Sequence, residues 1–214
     1  MVKLAPPPPP RRPAPKFYPL PRQAQLRRIY STQRPGVTAS TFRHFGPLER
    51  FDHHRPDSSG TLREDGERAV SYFAEHLRGC LVEVFGDTNK VVTTQRYLCV
   101  AVATRSLRLL DLRGGGGRAA GAEDALAKDG DRRTSQAWSR YFYEHPEHYG
   151  EIDGIIYENA HNSDTAIALY ERAQSKLTFP DDLIVPLASL GAPLYVAMEE
   201  ALLEFDDEFS HGHG

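Results

Sequence analysis

Apolar positions in this chain recur mostly at strand spacing. The stretches LRRIYS (Leu26 to Ser31), RAVSYFA (Arg68 to Ala74), RYLCVAVAT (Arg96 to Thr104), LRLLDL (Leu107 to Leu112), IDGIIYEN (Ile152 to Asn159) and TAIALYERA (Thr165 to Ala173) are short and rich in β-branched and aromatic residues, so each predicts a strand. CLVEVF (Cys80 to Phe85) reads the same way, with a helical turn in the EHLRG before it. Helical spacing comes later. In RRTSQAWSRYFYEH, Ala137, Tyr141 and Glu144 fall on one line with Trp138, Phe142 and His145 beside it, and AAGAEDALAKD predicts a helix before it. A last helix starts near Pro193, a good first-turn residue, and runs through LYVAMEEALLEF. Strands with helices gathered in the middle and at the end predict an α+β fold rather than strict α/β alternation.

The ends of the chain break this pattern. Pro6 to Pro10 form an unbroken proline run, followed by Arg11, Arg12, Pro13 and Pro15. Such a composition extends as polyproline II and builds no core, so residues 1–24 are expected to be a disordered leader, a spacer more than a ligand for an aromatic groove. One domain is expected over residues 25–175, then a helical extension over 176–214 that ends in a mobile HGHG tail. Inside the domain, TFRHFGPLERFDHH predicts an ordered loop with a short strand, residues 54–68 an exposed polar loop, and Gly114 to Gly117 the end of the LRLLDL strand.

Composition narrows the classes of function. With 214 residues the chain can bury a substantial core without staples. Its net charge of −3 gives no global reason to bind nucleic acid or an anionic membrane. No stretch approaches the roughly 18 apolar residues of a membrane span. The two cysteines, Cys80 and Cys99, lie in apolar runs and read as small core residues of a reducing compartment, so a cytoplasmic location is expected.

The sharpest local violation is Glu83. On a strand it would share a face with Leu81 and Phe85, opposite Cys80, Val82 and Val84, a lone carboxylate among apolar neighbours. Burying it unpaired is costly, so it needs a partner or a chemical role. Arg43 and Arg50, each next to an aromatic residue, can fork onto a carboxylate or a phosphate, and Tyr72 offers a ring for a flat heterocycle. The plainer alternatives are an edge carboxylate, two loop cations and a core aromatic. Other motifs fail. The run LDLRGGGGRAAGAEDAL lacks the lysine and hydroxyl of a Walker loop and does not match G-x-G-x-x-G. No H-E-x-x-H occurs, HPEH is broken by Pro146, and no G-x-S-x-G elbow is present, so neither a metal site nor a serine hydrolase is expected.

Taken in order, LRRIYS, FRHFGPLERFD, VSYFA, CLVEVF, YLCVAVATRSLRLLDL and IDGIIYENAHNSDTAIALYERA resemble the RES domain, the toxin half of bacterial RES–Xre toxin–antitoxin pairs, over residues 26–173. The order and spacing of the blocks carry the resemblance. It implies an ADP-ribosyltransferase-like split β-sheet that binds NAD as substrate, with no further cofactor. It also implies cleavage of the nicotinamide–ribose bond with water or phosphate as acceptor. An Xre-type antitoxin protein is the implied partner. Some relatives are described as ADP-ribosylating a protein instead.

The family's glutamate falls on Glu83 in VEV and its tyrosine on Tyr72 in YFA. Its arginine falls on Arg50 in ERF, with Glu49 where glycine is usual; Arg43 is a second candidate. By the same resemblance Glu83 would stabilise a ribosyl cation, Arg50 or Arg43 would hold a phosphate of NAD, Tyr72 would stack on nicotinamide, and Asn159 would hydrogen-bond the dinucleotide. Asn159 stands where the family has serine, a departure that also admits a non-catalytic RES-like binding module; Ser163 is a nearby hydroxyl. Self-association as a homo-oligomer is left open.

Overall fold

The computed structural model describes residues 4–57, 59–128 and 130–206, so the terminal HGHG lies outside the described residues. In chain order the elements are β1 (Phe17–Leu20), β2 (Gln25–Ser31), β3 (Phe45–Gly46), β4 (Arg63–Glu64), β5 (Val70–Ala74), α1 (Leu77–Phe85), β6 (Lys90–Val91), β7 (Arg96–Ala103), β8 (Leu107–Asp111) and α2 (Gly116–Ala119). They continue with α3 (Arg132–Glu144), α4 (Pro146–Tyr149), β9 (Gly154–Glu158), β10 (Thr165–Tyr170), β11 (Leu177–Thr178), β12 (Ile184–Pro186), α5 (Ala192–Glu200) and β13 (Glu204–Phe205).

Nine strands form one mixed sheet in the order β1-β8-β9-β10-β5-β2-β7, and β7 carries both β11 and β12 on its outer edge. β8 and β9 run parallel, which demands a long crossover, and α2, α3 and α4 supply it. Strand alternation then sorts the central side chains. On β9, Ile155 and Tyr157 face the layer built by Trp138 and Phe142 of α3, while Ile156 faces the opposite layer with Leu109, Ile167 and Leu169. Both faces are therefore buried, as the near-continuous apolar runs of β8, β9 and β10 require. Gly154 is forced at the start of β9, because a Cβ there would meet the Ala168 carbonyl oxygen of β10.

The sheet is all but split. β2 and β7 pair over seven residues and β10 and β5 over five, yet β2 and β5 share one pair, Arg27 with Ala74. Beyond it the two strands diverge, and Arg43 bridges to Val70 of β5. The α+β fold and the parted sheet agree with the expected class.

Several local expectations are corrected. CLVEVF belongs to helix α1, not to a strand. Cys80, Leu81 and Phe85, with half-buried Leu77, recur at helical intervals and pack with α5, β2 and β7. A six-residue apolar window fits either period, and the helix shows only when Leu77 is included. AAGAEDALAKD yields only a short 3₁₀ helix at Asp124–Ala127, and four-residue α2 forms ahead of it in the glycine run, ending at Ala119; Gly115, at φ +81°, fits the sharp bend that opens α2. The TAIALYERA strand stops at Tyr170 and continues as a 3₁₀ helix, Glu171–Lys176.

The termini also differ from expectation. The chain joins the sheet at Phe17, because β1 pairs with β8 along Phe17–Leu20. The proline stretch bends along the surface, with Leu4 buried, the Trp138 Nε1–H donating to the Ala5 carbonyl at 2.9 Å, and Pro9 against Gly121. At the other end β11 and β12 complete the sheet and α5 packs on α1, so residues 176–206 are built onto the same sheet and core. The loop at 54–68 is not wholly exposed: His54, Asp65 and Arg68 are buried.

Candidate functional site

Where β2 and β5 part, a cleft of about 1090 Å³ opens. It is at the large end of cavities that take small molecules. Its walls carry Arg27, Arg28, Arg34, Arg43, Arg50, Arg96, Lys128 and Arg132 against Glu49, Glu64, Glu83 and Asp87. A chain of net negative charge thus concentrates cations here, the pattern expected of a site for an anionic ligand.

Glu83 reaches this cleft from α1. Its apolar neighbours Leu81, Val82 and Phe85 turn into the core, which leaves Glu83 and Val84 on the helix face toward solvent. Exposed as it is, Glu83 sits among the cleft walls, and their desolvation pushes its carboxylate up to about 7 against the opposing charge of Arg50. The lone carboxylate of the sequence is therefore the cleft's acid, carried by a helix.

Arg50, half-buried, and Tyr72 of β5 line the same cleft. Both are organised by Asp52, which is fully buried. Asp52 accepts the Arg43 Nη2 on both oxygens, at 2.9 and 2.8 Å, the backbone N–H groups of Leu48 and Glu49 at 2.5 and 2.9 Å, and the Tyr72 hydroxyl at 2.8 Å. The Tyr72 oxygen in turn accepts the Phe51 N–H at 3.1 Å. Burial, reinforced by the Asp52 charge, holds the Tyr72 phenol well above its ordinary value, so it stays a neutral donor. Arg43 is committed: besides Asp52 its guanidinium donates to the Phe45 carbonyl. Between the two candidate arginines, geometry makes Arg43 the brace of the loop and leaves Arg50 beside Glu83.

Asn159 is brought near the cleft but is not among its lining residues. It is buried after β9, where its Oδ1 accepts the N–H groups of His161 at 3.0 Å and Asn162 at 2.9 Å, and its Nδ2 is buried without a partner. Tyr157, Ala160 and His161 around it do line the cleft. Ser163 is exposed and accepts from Lys128 Nζ at 3.1 Å.

Sequence reasoning passed over Asp52 and Arg132. Asp52 directly follows Arg50-Phe51, and its signal was an acidic residue in a loop predicted to be ordered. Arg132, at the start of α3, pairs with Glu49 at 2.7 Å and lies 3.5 Å from Asp87 past the end of α1, while His161 Nε2 lies 3.5 Å from the same Asp87. These contacts join four segments around Glu83 that no local pattern connects. Among the described residues, no group of three or more His, Cys, Asp or Glu side chains is placed to hold a metal ion, and no helix is long and apolar enough to cross a membrane.

The family model described as RES domain matches residues 25–187, past the boundary expected at 175 and far enough to include β11 and β12. Among solved structures, a chain of the M. tuberculosis MbcT–MbcA toxin–antitoxin complex superposes with a TM-score of 0.57 at 16% identity, over 86% of this chain and 92% of that one. None of the curated proteins matches. The family model spans most of the sequence, and the chain belongs to the RES domain family.

Proposed function

We propose that this protein is a RES-type toxin that cleaves the nicotinamide–ribose bond of NAD in the cleft between β2 and β5, under the control of an antitoxin protein of the Xre type. The observation that carries the reading is Glu83, a carboxylate with a raised pKa in a cleft whose other charges are mainly cationic. NAD offers a pyrophosphate for such cations and a ribose whose C1′ gains positive charge as its bond to the nicotinamide nitrogen breaks. The bonding pair leaves with nicotinamide. Ionised Glu83 stabilises the oxocarbenium ion that forms. Attack by water then makes the new C1′–O bond and gives ADP-ribose and a proton; attack by phosphate would give the 1-phosphate instead.

Arg50 is the residue assigned to a phosphate of NAD, beside Glu83 and on the loop that Asp52 and Arg43 brace. Tyr72 presents its ring to the nicotinamide while its hydroxyl stays tethered to Asp52. Asn159 acts through the turn that holds Ala160 and His161 at the cleft wall, a role that needs an acceptor oxygen and not a serine hydroxyl in particular. The antitoxin partner is supported by family membership and by the complex to which the fold is similar. The test is nicotinamide release from NAD by purified protein. Wild type is expected to turn over and Glu83→Gln to lose at least about a hundredfold; equal rates would end the proposal.

A further inference from the structure

Arg96 opens β7, on the far half of the parted sheet, and lines the same cleft. It is half-buried, and its Nε is buried without a hydrogen-bond partner. Five of the other cleft cations are occupied: Arg43, Arg132 and Lys128 meet carboxylates, and Arg27 and Arg28 donate to backbone carbonyls at 2.6 Å and at 2.7 and 3.1 Å. Around Arg96, burial lowers the pKa and no neighbouring carboxylate of the described residues opposes it. Its one close companion is the Phe85 ring of α1, with the guanidinium carbon 5.4 Å from the ring centroid. A cation–π contact of that length offsets only part of the cost of removing a guanidinium from water.

A half-buried guanidinium whose buried Nε–H has no partner, facing a cleft lined mainly by cations, is arranged for a ligand and not for the fold. We infer that Arg96 is an anion-binding residue of this cleft that takes a phosphate group of the bound ligand on the β2/β7 side, opposite Arg50. The inference rests on the cleft being the substrate site and extends that reading by adding a second phosphate contact from the other half of the sheet. A dinucleotide would then be gripped from both halves, so that its binding closes the parting that β2 and β5 leave open. The fork geometry suits a phosphate accepted through two parallel N–H···O bonds, which a lysine could not reproduce.

The experiment uses the full chain as wild type, Arg96→Met and Arg96→Lys. NAD, inorganic pyrophosphate and orthophosphate are the probes, at matched ionic strength. Methionine keeps an apolar stem against Phe85 and removes an uncompensated charge, so unliganded Arg96→Met is expected to melt no lower than wild type. Its affinity by calorimetry is expected to fall about tenfold or more for NAD and pyrophosphate, with Arg96→Lys recovering part of the loss. A dependence on Arg96 for NAD assigns the dinucleotide's pyrophosphate, and one for orthophosphate alone assigns a free phosphate. If wild type binds pyrophosphate through Arg96 but not NAD, the role of Arg96 stands and the NAD reading fails. Affinities within twofold of wild type for every probe, a wild-type protein that binds none of the three, or a melting point several degrees lower in Arg96→Met would overturn the inference, the last because a cation needed by the fold must cost stability when removed.

Discussion

The Tyr72 hydroxyl donates to Asp52 at 2.8 Å and so ties the central strand β5 to the loop that carries Arg50. Four donor groups converge on that one buried carboxylate through five hydrogen bonds, two of them from Arg43. Asp52→Ala should therefore cost about 3 kcal/mol, since it strands the Arg43 guanidinium and frees the loop at once. Denaturant unfolding measures this. NAD turnover should fall in the same variant, even though Asp52 need not touch substrate, because Arg50 loses its seat.

Tyr72 separates ring from hydroxyl. Tyr72→Phe removes the bond to Asp52 and is expected to cost about 1 kcal/mol of stability while keeping the surface on which nicotinamide would stack. Tyr72→Ala removes both. If the ring is the binding element, KM for NAD should rise with alanine and stay near wild type with phenylalanine. A rise of equal size in both variants would instead assign the effect to the hydroxyl and the loop behind it.

What could be read in the sequence divides along the range of the interactions. β9 and β10 were visible because each buries both faces and so needs a near-continuous apolar run, and β7 and β8 because they are rich in residues that fit a largely buried sheet. The helix around Trp138 and Phe142 showed its own period. Glu83 was singled out for the wrong reason: it stood out as polar on a strand, whereas on α1 it is the ordinary outward residue of an amphipathic helix, made unusual only by the cleft it faces. Nor could periodicity place Asp52, since its meaning comes from Arg43 and Tyr72 arriving from elsewhere in the chain. The proline stretch misled for a related reason. Its composition does preclude a core of its own, but Trp138 and Gly121 supply a surface on which it lies.

That surface makes a prediction for the leader. Deleting residues 1–12 removes buried Leu4 and the carbonyl that accepts Trp138 Nε1–H, a loss of about 3 kcal/mol from apolar burial and one hydrogen bond. Trp138 is the single tryptophan of the chain, so its emission reports the change directly. A red shift with a lower melting temperature is expected. An unchanged spectrum would mean that the segment does not cover Trp138 in solution.

Buried His53 gives the fold a dependence on acid. Its Nε2 lies 2.9 Å from Glu171, its ring is 4.1 Å from that of Tyr170, and burial lowers its pKa to about 4 despite the nearby carboxylate. The unfolded chain takes up this proton near the ordinary histidine value of about 6.5 and the folded chain only near 4, so stability is lost as pH falls between the two. The full linkage approaches about 3 kcal/mol. Melting temperature should decline over that window, and His53→Gln should flatten the decline.

Glu83 should act in the opposite sense. Its folded pKa of about 7 exceeds the ordinary carboxylate value, so the folded chain holds the proton that the unfolded chain releases first. Its contribution to stability is complete below the unfolded value, near 4.5, declines as pH rises toward 7, and is gone above it. Glu83→Gln should thus melt higher than wild type at pH 8 and alike at pH 4. Catalysis needs the form that the fold disfavours. The rate of nicotinamide release should rise with pH through about 7 as the carboxylate ionises, and in Glu83→Gln this ionisation should vanish from the residual rate. A wild-type profile that is flat from pH 6 to 8 would remove Glu83 from the step that develops charge on the ribose. A variant that gained stability at pH 8 while losing turnover would show one carboxylate held at the expense of the fold for the sake of the chemistry.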